Sequence, residues 1–100
     1  MKTKTHLFIF DNYDRCEREY HHRIRMLDEL SIRYHSKFVT RIVFIIECAP
    51  EPHEMIYQFK VVNDKNKDYA LRGLRADRVI IDEYATLHRE TRNYLRVIER

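Results

Sequence analysis

Leu7-Phe-Ile-Phe10 is a short apolar run closed by Asp11-Asn12, the pattern of a buried strand that feeds a turn. Asp14 then precedes Glu17 by three positions, as in a capping box, and Cys16, Tyr20, Ile24, Leu27, Leu30 and Tyr34 recur every three or four residues. That spacing predicts an amphipathic helix over residues 15–36. Phe38 to Ile46 is β-branched and almost continuously apolar, which suits a central strand covered on both faces, and Ala49-Pro50-Glu51-Pro52 ends it. From Ile56 to Val62, Gln58 and Lys60 interrupt Tyr57, Phe59 and Val61, which predicts a strand with one wet face, nearer an edge. Asn63 to Asp68 is a polar turn, Val79-Ile80-Ile81 a short last strand ending in Asp82-Glu83. Leu87, Thr91, Tyr94, Leu95 and Ile98 recur at helical spacing, giving a closing helix from Ala85 onward.

The expected order is therefore strand, helix, strand, strand, strand, helix. It describes an α/β domain with a small, partly parallel four-stranded sheet and two amphipathic helices. Residues 1–100 suffice for one core, so a single domain is expected. The longest apolar run, Ile42 to Ile46, is far too short to span a membrane, and Leu7 to Phe10 is too short for a signal-peptide core. A soluble, cytoplasmic protein is the expectation. Cys16 and Cys48 are far apart and form no CxxC motif, so reduced thiols are expected rather than a disulfide framework or zinc cluster.

Composition changes the picture at one residue type. Gly73 is the only glycine, whereas GxxxxGK[ST] and GxGxxG loops need several to bring backbone close to phosphate. A self-sufficient nucleotide-binding loop is excluded from this chain. Ser31 and Ser36, the only serines, do not stand in GxSxG, so an esterase-type nucleophile elbow is excluded as well. The formal charge of +3 is modest and forms no block. Of the 19 basic side chains, 13 are arginine, the residue suited to two-point contacts with phosphate and carboxylate.

The segment Leu71-Arg-Gly-Leu-Arg-Ala-Asp-Arg-Val-Ile-Ile-Asp-Glu83 is the sharpest local feature. An apolar strand ending in Asp-Glu can hold magnesium through the aspartate and orient an attacking water through the glutamate. Acids also close many strands that lead into helices, because a helix N-terminus favours negative charge. With Tyr84-Ala85 after it and the RG-x-x-x-D of Arg72 to Asp77 before it, the segment resembles the Walker B region of phage terminase large subunits. The resemblance covers residues 70–86 well and 38–100 loosely. It implies a degenerate half of a P-loop NTPase core, with Asp82 as the catalytic and metal-side acid and Glu83 as the catalytic carboxylate. The phosphate cradle and the nuclease domain of that family are missing. An acid pair without a cradle cannot hold ATP, so the resemblance points to binding within a phage or host nucleic-acid machine.

A second constellation is basic. Arg15, Arg18, His22, Arg25 and Arg33 are expected on one face of the first helix, and Arg89, Arg92, Arg96 and Arg100 on one side of the last. Such stripes track phosphates or meet an acidic protein surface, although solvated helix faces are commonly charged and Glu29 and Glu99 flank these. Tyr20, Tyr34, Tyr84 and Tyr94 fall at core-facing helical positions, which leaves Tyr13 and Tyr69, in polar turns, as candidates for contact with a partner. The six histidines form no zinc motif, and His53-Glu54 beside Cys48 is the nearest approach to a cluster. Asp11, Glu47 and Asp82 all fall at expected strand ends. Were those strands parallel neighbours, the three carboxylates would meet at the ligand edge of the sheet and could bind magnesium for nuclease chemistry.

Two readings follow. One is a phage or prophage protein that binds nucleic acid or a nucleic-acid-processing complex, as inhibitor or regulator, without a cofactor. It includes an antagonist of host defence that occupies a protein surface. The other is a magnesium-dependent phosphohydrolase or nuclease, or a terminase-like fragment of the DNA-packaging ATPase, using Asp82 and Glu83.

Overall fold

The computed structural model describes residues 2–37, 40–47 and 52–99, without the side chains of Phe44, Ile46 and Glu47. β1 (Lys2–Phe10) leads into α1 (Tyr13–Glu29), followed by β2 (Tyr34–Lys37), β3 (Ile42–Glu47) and β4 (His53–Val61). The one-turn α2 (Lys67–Ala70), β5 (Arg78–Ile81) and α3 (Arg89–Ile98) complete the chain. The strands form one mixed sheet of five in the order β2-β3-β4-β1-β5. β1 pairs in parallel with both β4 and β5, while β3 is antiparallel to β4 and to β2.

Strand alternation divides β1 between two cores. Phe10, with Phe8 partly buried beside it, packs under α1 with Cys16, Tyr20, Leu27, Val43, Ile45, Met55 and Phe59. Leu7 and Ile9 point the other way and pack with Val62, Leu71, Ala76, Leu95 and Ile98, so α3 covers the opposite face. Each fully buried aliphatic or aromatic side chain contributes roughly 1.5–3 kcal/mol by leaving water. Phe8 and Phe59 stack with ring centroids 4.9 Å apart across the β1–β4 pair, where the register sets them opposite each other.

The structure corrects several expectations. Among the described residues there are five strands and three helices rather than four and two. The first helix is capped by Asn12, whose side chain accepts the Arg15 backbone N–H at 3.1 Å, and not by Asp14. It stops at Glu29 rather than 36. Ser31 takes a left-handed φ of 57°, the Ser31 N–H donates to Asp28 O, and the Ile32 N–H donates to Leu27 O. This pair of bonds is a Schellman close, with Ile32 and Leu27 at its hydrophobic positions. Tyr34 consequently lies on a strand, and Arg33 lies beyond the helix.

The strand expected from Phe38 begins at Ile42, after a turn in which Arg41 has a φ of 51°; Phe38 and Val39 lie outside the described residues. Val43 and Ile45 are buried under α1 and Ile42, on the other side, is half-buried, while the side chains of Phe44 and Ile46 on that second face lie outside the described ones. β4, expected near an edge, is instead the middle strand. Its Gln58 and Lys60 lie on the face away from α1 and are half-buried, so a central strand keeps polar residues on the face that α1 does not cover. The last helix starts at Arg89, and Ala85 and Leu87 are buried in the extended segment before it. No described helix is long and apolar enough to cross a membrane.

Candidate functional site

β1, β4 and β5 run in parallel, so their C-terminal ends share one edge of the sheet, where Asp11, Asp82 and the turn after Val62 lie. In open α/β folds this edge carries the ligand. Here its acids hold the protein's own loops. Asp82 receives two hydrogen bonds from Arg15 in the first turn of α1: Nη2 to Oδ1 at 2.7 Å and Nε to Oδ2 at 3.3 Å. The Asp82 side chain is only 7% exposed. The same guanidinium lies 4.6 Å from the centroid of the Tyr84 ring, and Glu19 stands 3.8 Å from Nη2. The hydrogen bond to Asp82 raises the Arg15 pKa above its ordinary value.

Asp11 turns to another loop, where its Oδ2 accepts the Thr86 backbone N–H at 2.7 Å. Asp64, from the turn after β4, caps α3 from outside that helix. Its Oδ1 accepts the His88 backbone N–H at 2.9 Å and the Thr91 hydroxyl at 2.6 Å, while His88, at the cap position, makes no side-chain cap bond. The Thr91 and His88 hydrogen bonds hold the Asp64 carboxyl below its ordinary pKa. Nothing in the sequence marks Asp64, because the groups it binds lie 24 and 27 positions away.

The expected convergence of Asp11, Glu47 and Asp82 does not occur. β3 is antiparallel, and the register places Glu47 opposite His53, itself opposite Lys2, at the far end of the sheet from Asp82. His53 and Glu54 are consecutive in β4, so their side chains leave on opposite faces, and Cys48 lies outside the described residues. Among the described residues, no group of three His, Cys, Asp or Glu side chains is placed to hold a metal ion. Glu83 is exposed beside Asp82, on the rim of an open depression of about 340 Å³ floored by Phe8, Phe10 and Ile80.

The arginine stripes are only partly realised. On α1, Arg18, His22 and Arg25 are exposed, but Arg15 is committed to Asp82 and Arg33 belongs to the turn before β2. On α3, Arg89 and Arg96 are exposed. Arg92 instead holds the preceding loop, its Nε donating to Leu87 O at 3.3 Å and its Nη2 to Ala85 O at 3.1 Å; Arg100 lies outside the described residues. Because α1 and α3 cover opposite faces of the sheet, the two stripes do not form one surface. Of the tyrosines expected in the core, Tyr20 is buried and Tyr34 and Tyr94 are half-buried, but Tyr84 is 66% exposed because it lies in a turn rather than on the helix.

At the β5 edge, Glu99 Oε2 accepts the Val79 N–H at 2.6 Å, occupying a donor that an edge strand would otherwise offer to another chain. No family model, curated protein or solved structure matches the chain.

Proposed function

We propose that this chain is a non-catalytic binding protein of phage or prophage type, working in the host cytoplasm, that engages nucleic acid or a nucleic-acid-processing enzyme as inhibitor or regulator. The phage origin rests on the terminase-like segment from Leu71 to Glu83. One observation carries the non-catalytic reading: the Asp82 carboxylate is engaged at both oxygens by Arg15 and is 7% exposed. A metal-side acid must offer its charge and lone pairs to the ion or its water shell. A guanidinium in that place neutralises the charge and occupies the oxygens, which turns the strand-end acid into a strut between β5 and α1.

The exposed arginines supply the binding chemistry, on α1 through Arg18 and Arg25 with His22 between them, and on α3 through Arg89 and Arg96. The test is to capture tagged protein from a bacterial lysate with and without nuclease. Paired charge reversals then follow, Arg18→Glu with Arg25→Glu and Arg89→Glu with Arg96→Glu. Arg92 is left intact because it holds the Ala85–Leu87 loop. A partner that survives nuclease and is lost in one pair identifies an enzyme surface. Loss of all partners on nuclease treatment identifies direct nucleic-acid binding. Retention of partners by both pairs, or magnesium-dependent hydrolysis of oligonucleotide or nucleotide that Asp82→Asn abolishes, overturns the proposal.

A further inference from the structure

Tyr69 is 90% exposed and Tyr13 65% exposed, and both line one open trough of about 340 Å³ where β4 ends and β3 begins. Ile42, Val61 and Ala70 give it apolar lining, beside the buried Phe59. Arg41, Lys60, Gln58 and Asn66 supply two cations and two amides, and among the described residues no carboxylate lines it. The volume lies at the lower end of the roughly 300–1,000 Å³ range of small-ligand clefts.

We infer that this trough is a stacking site for single-stranded nucleic acid, an inference that rests on the nucleic-acid arm of the proposed function. Three features support it. A lone exposed tyrosine carries little information, but two on one concavity offer flat π-faces that any base can cover. Neither belongs to a core cluster, and after Tyr69 the chain turns Ala70 and then Leu71 inward while Tyr69 faces solvent. The trough lies at the C-terminal edge of β1 and β4, beside the start of α1.

The second feature is a fixed cation. The Arg41 guanidinium lies 5.6 Å from the centroid of the Tyr13 ring, and its Nε donates to Glu17. The Arg41 carbonyl accepts the Phe59 N–H at 3.0 Å, which ties this left-handed residue to the sheet. One N–H is used by Glu17, and a guanidinium has five donors. Lys60 adds a second charge, with no acid among the described lining residues.

The third feature is shape. The bases of a duplex are stacked on one another and present only their edges, so exposed tyrosine faces in an open concavity suit a strand whose bases are free. Acidic peptides would use the cations and leave the aromatic pair without a role.

The experiment is fluorescence anisotropy with a labelled oligothymidylate at several salt concentrations, on the whole chain and on Tyr69→Ala, Tyr13→Ala and Lys60→Ala. Each tyrosine variant should bind about tenfold more weakly, within the range for loss of one stacked base. Lys60→Ala should flatten the slope of log K against log salt by about 0.7, the share of one single-strand phosphate. Tyr69→Ala should keep the parent melting temperature, because its ring is outside the core. Equal competition by duplex DNA overturns the inference, and so does unchanged affinity in both tyrosine variants. Failure of the parent chain to bind any single strand, while it still captures a nuclease-resistant enzyme, overturns the trough and leaves the proposed function standing. If it binds no strand and captures nothing, both fall.

Discussion

Arg15, in the first turn of α1, and Asp82, 67 positions later at the end of β5, meet in a two-point ion pair that joins the first helix to an edge strand of the sheet. The two ends of the pair are not equally wet. Arg15 keeps 27% of its side chain exposed and Asp82 only 7%. Arg15→Ala therefore removes the partner of the more buried group, whereas Asp82→Asn leaves a guanidinium already in contact with water. The expected order of melting temperatures is parent, then Asp82→Asn, then Arg15→Ala. The double variant should be more stable than the sum of the single losses predicts, the signature of coupling in a double-mutant cycle. Additive losses, or the reverse order, would show that the pair does not hold β5 to α1.

Asp64 gives the protein an acid-sensitive contact. Hydrogen bonds from Thr91 and the His88 N–H hold its carboxyl below the ordinary value of 3.8, so the folded state binds that proton more weakly than the unfolded chain. Its stabilisation is complete above 3.8 and is lost as pH falls through the depressed folded value. Urea midpoints measured from about pH 5 downward should fall less steeply in Asp64→Asn than in the parent. The variant should also be less stable at neutral pH, since an amide oxygen accepts the same two bonds more weakly than a carboxylate. Parallel pH curves would mean that Asp64 does not cap α3 in solution.

Much of the sheet was legible because apolar runs and alternation report burial directly: β1, β4 and β5 all lie where those patterns put strands. The end of α1 was not legible. Helices that close in a left-handed residue usually show glycine there, and this one uses Ser31, while Leu30 and Tyr34 continue the helical spacing past the true stop. Periodicity reported two elements as one. The position of β4 was hidden for a different reason, since one helix per face covers only part of a five-stranded sheet and leaves Gln58 and Lys60 on a central strand. For the candidate site, the segment ending in Asp82-Glu83 was visible, but its use was not. Arg15 stands out only as one of a basic stripe and Asp82 only as a metal-side acid, and with 67 positions between them only the fold makes one the partner of the other.

Cys16 should be chemically silent. Its side chain is fully buried between α1 and the sheet, and that burial pushes the thiol from 9.0 up to about 11. Alkylation needs both the thiolate and access to it. Cys48 lies outside the described residues, so the measurement uses Cys48→Ser, in which one thiol reports. Iodoacetamide at about pH 8 should leave the folded protein unmodified and label it fully in urea. Rapid labelling without denaturant would mean that α1 opens from the sheet under native conditions.

Gly73 separates a backbone requirement from a contact requirement. Its φ is +74°, and a methyl group built at this position meets no atom within 4 Å. Space is therefore not the constraint, and the cost of a side chain is conformational. Gly73→Ala should lose about 1 kcal/mol, a fall in melting temperature of roughly 4–8 °C for a domain of this size. Gly73→Asn should recover part of that loss, because asparagine enters the left-handed region more readily than other side chains. The turn it serves is short, with the Leu74 N–H donating to Leu71 O at 3.1 Å, and Leu71 is fully buried, so strain at Gly73 acts on a residue of the α3-side core. If the glycine instead lets a partner's backbone approach, both substitutions will weaken partner capture and leave thermal stability unchanged. Thermal melts and capture assays on the same two variants decide between the two roles.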